Sequence, residues 1–452
     1  VTKSGLEGGS LRDPAELVGL AAWRADAIAG FLVFLVALPL CLGISVASGF
    51  PPFAGVTTAV VGGFVATFLG SAPLTIKGPA AGLIVIVLGA VEELGGGDPL
   101  RGYARTLAVV VVSGALIALL GLARAGRLGD VVPRSAVHGM LAAIGVVIVS
   151  KQAHAVFGVT PTAKEPLGLL AELPRSLAMA NPAITALGVL GVVVLLAWPR
   201  LRAVPGFGKV PAPLVVLLVT MPLGVLLGLE EARVLQWGEV TFRVGPEHLV
   251  RVPERLSAVL AFPDFAPLAE PLFWKHVALF TLVAGLESVL SAKAIATLDP
   301  WRRSASLDRD LVAQGAANVV AGMLGGLPMI SEIVRSSANV AYGGRTRRAN
   351  FFHGLFLLLF VALAPALVHR IPLAALAAML VYTGCRLAHP REFVRAWKAG
   401  PEGFAGFATT VLVTVAVDLL AGIAAGALVE IGSGFARARA SRWRGRADAA
   451  QR

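Results

Sequence analysis

The sequence predicts an all-α polytopic membrane protein: fourteen membrane elements in two inverted seven-element repeats, with half-helices at elements 3 and 10, each preceded by a short strand. Three observations carry this. Hydrophobic residues make up 56% of the chain and charged residues 15%, with a mean hydropathy of +0.79, far from a soluble domain. Apolar runs of membrane-crossing length recur along the whole chain. Two shorter runs, broken by Gly and Pro, occupy corresponding places in the two halves: LTIKGPAAGLIVIVLGAV (Leu74–Val91) and GGLPMISEIVRSSANVAYGG (Gly325–Gly344). Such a pair points to the binding site of a membrane transporter.

Taken in order, residues 1–25 form a polar cytoplasmic tail with a short amphipathic piece at Pro14–Trp23. No cleavable signal peptide is read, because the N-terminus stays polar up to Asp26. Span 1 (Ala27–Ala47) holds Pro39, whose freed carbonyl is tolerable only where protein or water satisfies it. Span 2 (Phe53–Leu69) carries Gly62 and Gly63, suited to close helix contact. Ser71–Lys77 is partly β-like, and the first half-helix starts at Gly78-Pro79 and runs to Val91. Spans 4 to 7 cover Thr106–Ala123, Ser135–Val156, Pro182–Trp198 and Val210–Leu229. A polar segment, Glu230–Pro271, includes an expected surface helix around Gly245–Ala261. Spans 8 and 9 are Leu272–Leu298 and Asp310–Leu324. The second half-helix starts at Pro328, since proline at a first helical position loses no needed N–H, and ends at Tyr342. At about 1.5 Å per residue it is roughly 22 Å long, shorter than a bilayer core of about 30 Å. Spans 11 to 14 are Asn350–Val368, Ile371–Leu387, Gly403–Leu420 and Ala421–Phe435.

Charge supports the topology. With the N-terminus inside, alternation places Arg124, Arg127 and Arg134, then Arg200, Arg202 and Lys209, then Arg302, Arg303 and Arg309 in cytoplasmic connections. Arg345, Arg347 and Arg348, then Arg391, Arg395 and Lys398, and the tail arginines follow the same rule, while Glu92, Glu93 and Asp98 fall outside. The organisation is therefore a tail at 1–25, a first repeat at 26–229, an extracytoplasmic linker at 230–271, a second repeat at 272–436 and a basic cytoplasmic tail at 437–452. Seven elements per half make the second half run upside down. Faint similarity between Ala54–Ser71 and Ala313–Gly326 agrees. This is a protein of the inner (plasma) membrane with both termini cytoplasmic.

Composition also excludes classes. The net charge of +12 comes without zinc or RNA-binding spacing, so nucleic acid is not a partner and the basic residues flank spans. Cys41 and Cys385 lie in apolar runs and build no disulfide framework. The seven histidines lack metal spacing, and His138 and His353 read as packing residues. No Walker loop, Ser/His/Asp set or GxGxxG sits in a workable context, which argues against an enzyme.

The candidate site follows from the half-helices, whose N-termini attract anions at membrane depth. Donors come from Ala80, Ala81 and Gly82 after Pro79, and from Met329, Ile330 and Ser331 after Pro328. Arg335 is an anion ligand by charge and forked donors, or else a structural partner of Glu332 three residues earlier. Glu287 in span 8, with Ser291 four residues on and facing the same way, is the coupling candidate: a carboxylate and a hydroxyl for Na⁺, or a carboxyl that carries a proton. A salt bridge from Glu287 to Lys293, Arg335 or Lys77 is the structural alternative. Lys77 either adds positive potential or snorkels to the cytoplasm. No cofactor is expected beyond Na⁺ or H⁺ as coupling ion.

The stretches ALPLCLGISVASGFPPFAGVTTAVVGG (37–63), GPAAGL (78–83), LESVLSAKAI (286–295), DLVAQGAANVVAGMLGGLP (310–328) and VRSSANVAYGGRT (334–346) resemble the sulfate permease (SulP) family of inorganic anion transporters over about residues 26–437. The resemblance implies a core and a gate domain, with the anion between elements 3 and 10. It matches Glu287 and Ser291 to an acid and a hydroxyl of cyanobacterial sodium–bicarbonate symporters, and Arg335 to an arginine of animal relatives that the cyanobacterial type lacks. Members usually continue into a cytoplasmic STAS domain; here a basic tail follows span 14, so either the subgroup lacks that domain, with a cytoplasmic partner protein in its place, or the sequence is cut before it, and a homodimer in the bilayer is the expected assembly. The expectation is a secondary active carrier of a small inorganic anion, Na⁺-coupled bicarbonate first and H⁺-coupled sulfate or another oxyanion second. A channel-like or sensory anion-binding protein is the different class.

Overall fold

The computed structural model describes residues 14–126, 134–163, 165–201, 210–237, 240–250, 261–398, 400–417, 419 and 421–433. The basic tail at 437–452, most of the 1–25 tail and the 251–260 part of the expected surface helix lie outside them, as do Arg127, Arg202 and Lys209.

In chain order, α1 (Gly19–Ala47) keeps Pro39 inside it. α2 (Ala54–Leu69) widens over Gly62–Ala66. Then come β1 (Ile76–Pro79), a tight turn at Ala81–Leu83, α3 (Ile84–Gly95) and α4 (Pro99–Leu122). The start of α4 is fixed by Asp98, which accepts from the Leu100 and Arg101 amides, with Pro99 at the first helical position. α5 (Arg134–Val156), α6 (Pro166–Ala178), α7 (Pro182–Leu201) and α8 (Ala212–Leu226) precede a hairpin of β2 (Arg233–Trp237) and β3 (Val240–Val244). The second half has α9 (Pro271–Leu298), α10 (Leu307–Met323), β4 (Met329–Glu332), α11 (Ile333–Ala341) and α12 (Arg348–Leu363). It closes with α13 (Pro365–His369), α14 (Leu373–Leu387), α15 (Pro390–Lys398), α16 (Pro401–Ala416) and α17 (Ala421–Ser433). Among the described residues α1, α4, α5, α7 and α9 are long and apolar enough, by length and composition, to cross a membrane. The hairpin and the amphipathic helices α6 and α15 were not expected from the sequence.

The chain forms two compact units, each discontinuous: Val1–Arg127, Leu196–Pro222 and Leu249–Ile371 in the first, Leu128–Leu195, Leu223–His248 and Pro372–Arg452 in the second. In the first, α4 and α10 touch backbone to backbone. A Cβ on Gly114 would stand 2.9 Å from the Gly315 oxygen, and one on Gly322 would stand 3.1 Å from the Leu107 oxygen. Where lipid tails are as apolar as leucine, such small-residue seams are what hold helices together. α2 meets α12 the same way, at Gly63 and Gly354. In the second unit α5 packs on α14 and α16, again through glycines, Gly145 against Gly384 and Gly139 against Phe407. His154 of α5 ties down α6 through the Ser176 hydroxyl at 2.7 Å and the Leu169 oxygen at 3.1 Å.

β1 and β4 pair antiparallel, Ile76 with Glu332 through Pro79 with Met329. Equivalent strands that run opposite ways are what inverted halves require. The pairing corrects both expected helix starts. Pro79 ends a strand, and the helix begins only after the Ala81–Leu83 turn. Pro328 precedes a strand, and α11 begins at Ile333 with nine residues. Proline is as compatible with a strand end as with a helix start, and the distant partner strand decided between them.

Candidate functional site

A two-stranded ribbon has two open edges, and unsatisfied backbone at membrane depth costs several kcal/mol per group. The first unit closes both edges with side chains. On the β4 side, the Met329 amide donates to Asn318 Oδ1 at 2.7 Å, while Gln314 and Asn318 donate to the Met329 oxygen at 3.0 and 3.1 Å. The Ser331 amide donates to Ser288 Oγ at 3.1 Å. On the β1 side, the Lys77 amide donates to Asn350 Oδ1 at 3.0 Å, the Ile76 amide to Ser336 Oγ at 2.8 Å, and Asn339 donates to the Leu74 oxygen at 3.0 Å. Asn350 also reaches the Gly62 oxygen, which the wide turn of α2 presents.

This corrects the expected anion donors in part. The Met329 and Ser331 amides already have partners, and Ile330 lies within the strand pairing opposite Gly78. Lys77 neither snorkels nor lies open: it is buried, and its Nζ sits 2.6 Å from Asp310 Oδ2. Glu332 ends the strand, so it and Arg335 do not share a helix face three residues apart, and they form no ion pair among the described residues.

What the crossing does gather is charge. Arg335, 1% exposed, is in the first turn of α11 and turns back over β1, with Nη2 3.4 Å from the Pro79 oxygen and Nη1 against Gly78, where a Cβ would collide with it. Its Nε and Nη1 have no hydrogen-bond partner of ordinary geometry among the described residues, and the Cys41 thiol lies beside the guanidinium. A cation in a helix's first turn opposes the macrodipole, so both contribute positive potential at one place. Glu287 of α9 lies against the tight turn before α3: a Cβ on Gly82 would stand 2.6 Å from its Oε1, and its Oε2 has no partner. The Ala81 amide faces the Glu332 carboxylate, and Glu332 is within electrostatic reach of both Glu287 and Arg335. Ala80, extended and 1% exposed, leads into the turn. Ser291 is buried one turn beyond Glu287, but the hydroxyl that meets the ribbon is that of Ser288.

Pro79 and Glu332 leave the ribbon at opposite ends, and their side chains and turns converge over it: Arg335 reaches back to Gly78 and Pro79, Glu287 lies against Gly82, and Glu332 faces the Ala81 amide. The sequence reading passed over Asp310, Gln314 and Asn318. Their spacing of four places them on one face of an otherwise apolar helix, a polar stripe that marks a helix facing something polar.

Comparison with known proteins bears on the family and the fold. The description "Sulfate permease family" matches residues 23–410. The chain is 26% identical over 414 residues to "Putative sulfate transporter YvdB" of Bacillus subtilis, covering 91% of this chain and 73% of that one. It is also 26% identical over 413 residues to "Bicarbonate transporter BicA" of Picosynechococcus, covering 90% and 69%. Among solved structures, the transmembrane domain of a cyanobacterium bicarbonate transporter BicA superposes with a TM-score of 0.77 at 24% identity, over 90% of this chain and 98% of that one. SLC26A9 superposes at 0.75 and 13% identity, over 90% and 64%; these two likenesses concern the fold. A membrane fold of this kind, a family description covering most of the helical part and transporters as relatives together identify the chain as an anion transporter belonging to the sulfate permease family.

Proposed function

We propose that the protein is a secondary active transporter that takes up bicarbonate together with Na⁺ by an elevator-type alternating-access movement. The observation that carries this is the gathering of buried charged atoms about Gly78–Gly82: Nε and Nη1 of Arg335, against Gly78 and Pro79, and Oε2 of Glu287, against Gly82, none with a hydrogen-bond partner of ordinary geometry among the described residues. Buried polar groups without partners are costly, and an anion beside a cation would satisfy both. Arg335 faces the anion, with Pro79, Ala80, Ala81 and Gly82 behind it. Glu287, with Ser291 near, holds the cation. Ile330, Met329 and Ser331 support the anion side through the ribbon rather than through their amides. The name of the Picosynechococcus relative favours bicarbonate. We place the protein in the inner membrane with both termini cytoplasmic, as a homodimer.

A second reading is H⁺-coupled transport of sulfate or a related oxyanion. It is favoured by the two free donors of Arg335, which suit a dianion, and by the name of the Bacillus relative. Uptake of labelled bicarbonate and sulfate into proteoliposomes, under a Na⁺ gradient or a pH gradient, separates the two. Bicarbonate accumulation driven by Na⁺ and lost in Glu287→Gln supports the first reading. Sulfate accumulation driven by pH replaces it, and equilibration with neither gradient points to the channel-like class.

A further inference from the structure

A second polar cluster in the same unit lies apart from the transport site. Asp26, fully buried, accepts from the Arg345 and Thr346 amides at 2.7 and 2.9 Å, the Thr346 hydroxyl at 2.6 Å and Arg348 Nε at 3.2 Å. Arg348 also donates to the Leu17 oxygen at 3.2 Å and stacks 4.7 Å over Trp23. These contacts fix the turn that opens α12. They leave Arg347 exposed: its Nη1 holds the Gly70 oxygen at 2.6 Å, and no carboxylate among the described residues pairs with it. Beside it opens a cleft of about 400 Å³, lined by Leu17, Thr67, Phe68, Thr346, Arg347 and Arg348.

The depth of this cleft follows from α1. Its 29 residues span about 43 Å at 1.5 Å each, against a hydrocarbon core of about 30 Å. The charged residues of α1, Arg24 and Asp26, lie in its first turns, so the excess length falls at that end, outside the hydrocarbon, with Trp23 at the level where indole rings collect. The turn packed on Asp26 and Trp23 shares that level. The cleft's wall is apolar and open, with Phe68 at 68% exposure and Leu69 beside it at 44%. Of the arginines of this turn only Arg348 meets the buried Asp26 through its guanidinium, which leaves Arg347 as the exposed cation that pairs with no carboxylate among the described residues. Guanidinium donors beneath an apolar, outward-facing wall suit an anion that carries a hydrocarbon tail.

We propose that this cleft binds the phosphate of an anionic phospholipid headgroup, with Arg347 as its principal ligand and the acyl chains along Phe68. The lipid would bridge the end of α2 to the start of α12, where Asn350 holds the Lys77 amide of the ribbon.

The test is native mass spectrometry of the full chain in detergent, titrated with phosphatidylglycerol and, separately, phosphatidylcholine, with and without excess inorganic phosphate. The wild type should bind phosphatidylglycerol about tenfold more tightly than phosphatidylcholine, the size of one charge-assisted contact. Arg347→Gln should lose that preference, Arg347→Lys should keep part of it, and Arg391→Gln, an exposed arginine on α15, should keep all of it. Equal binding of the two lipids overturns the proposal, as does an unchanged preference in Arg347→Gln. An equal loss in Arg391→Gln would reduce it to net charge, and full displacement by inorganic phosphate would make the cleft a site for a free anion instead of a lipid. A normal elution profile and an unchanged lipid-free melting point for Arg347→Gln keep a folding defect from imitating the expected result.

Discussion

Replacing Lys77 with methionine should destabilise the first unit sharply. Lys77 and Asp310 are 3% and 5% exposed, with Nζ and Oδ2 2.6 Å apart. Without the ammonium, Asp310 keeps the Ser331 hydroxyl at 3.3 Å on Oδ2, and Oδ1 already has no partner. A buried carboxylate cannot recover solvation by moving, so removing one member of such a pair costs about 3–5 kcal/mol. At about 2 °C per kcal/mol for a large domain, the thermal midpoint should fall roughly 6–10 °C. Lys77→Met/Asp310→Leu removes both charges and should regain most of the loss, because an apolar replacement of a whole buried pair is close to neutral. The assay is thermal unfolding in detergent, followed by size-exclusion chromatography, with the uptake KM measured alongside. Two results would refute the reasoning: a Lys77→Met protein that melts like the wild type, or a double variant no more stable than the single one. A raised KM with an unchanged melting point would return Lys77 to the role of a positive charge beside the substrate.

Two further perturbations address the site itself. Gly82→Ala should displace the Glu287 carboxylate, since the new Cβ would stand 2.6 Å from Oε1; the Na⁺ constant for uptake should rise about tenfold with little change in melting point, and an unchanged constant would separate Gly82 from the cation. Arg335→Ala should raise the substrate KM, with part of the loss restored by Arg335→Lys, which keeps the charge without the fork; a well-folded Arg335→Ala protein of normal KM would remove the residue from the site.

Much of the fold was legible because a bilayer enforces it locally. The apolar spans, the basic short loops and the two interrupted segments are each visible within about twenty residues. The candidate residues stood out for the same reason: an ionisable group inside a span is conspicuous, and Arg335 and Glu287 both pack on the stretch Gly78–Gly82. What could not be read locally was the pairing of Ile76–Pro79 with Met329–Glu332, some 250 residues apart. A Pro followed by MISE satisfies the rules for a helix start, and only the partner strand overrides them. The same distance hid the bond between Lys77 and Asp310, and it hid the role of the Asp310, Gln314 and Asn318 stripe. The amphipathic helices α6 and α15 were missed because attention to apolar runs passes over segments that lie along a surface.

The ribbon also changes how coupling should be understood. Two helix N-termini aimed at a midplane cavity would offer an anion positive potential and nothing else. Here the ribbon offers Arg335 together with two carboxyl groups, Glu287 and Glu332, so in the form with both ionised the formal charge is minus one before any ligand arrives. An anion entering alone would bring that to minus two in a place where charge is poorly solvated, whereas an anion arriving with one cation leaves it unchanged. On the proposed reading, cation and anion each raise the other's affinity by the same factor, as linkage requires. Glu332→Gln tests this without touching the residue proposed to hold the cation. It brings the formal charge to zero, so the anion should bind with less need of Na⁺. Uptake into Na⁺-free proteoliposomes should rise several-fold relative to the wild type, while the ratio of uptake with Na⁺ to uptake without it should fall. If Glu332→Gln folds normally and remains as dependent on Na⁺ as the wild type, charge balance at the ribbon is not the source of coupling, and the dependence must lie in how Na⁺ shapes the turn against Glu287.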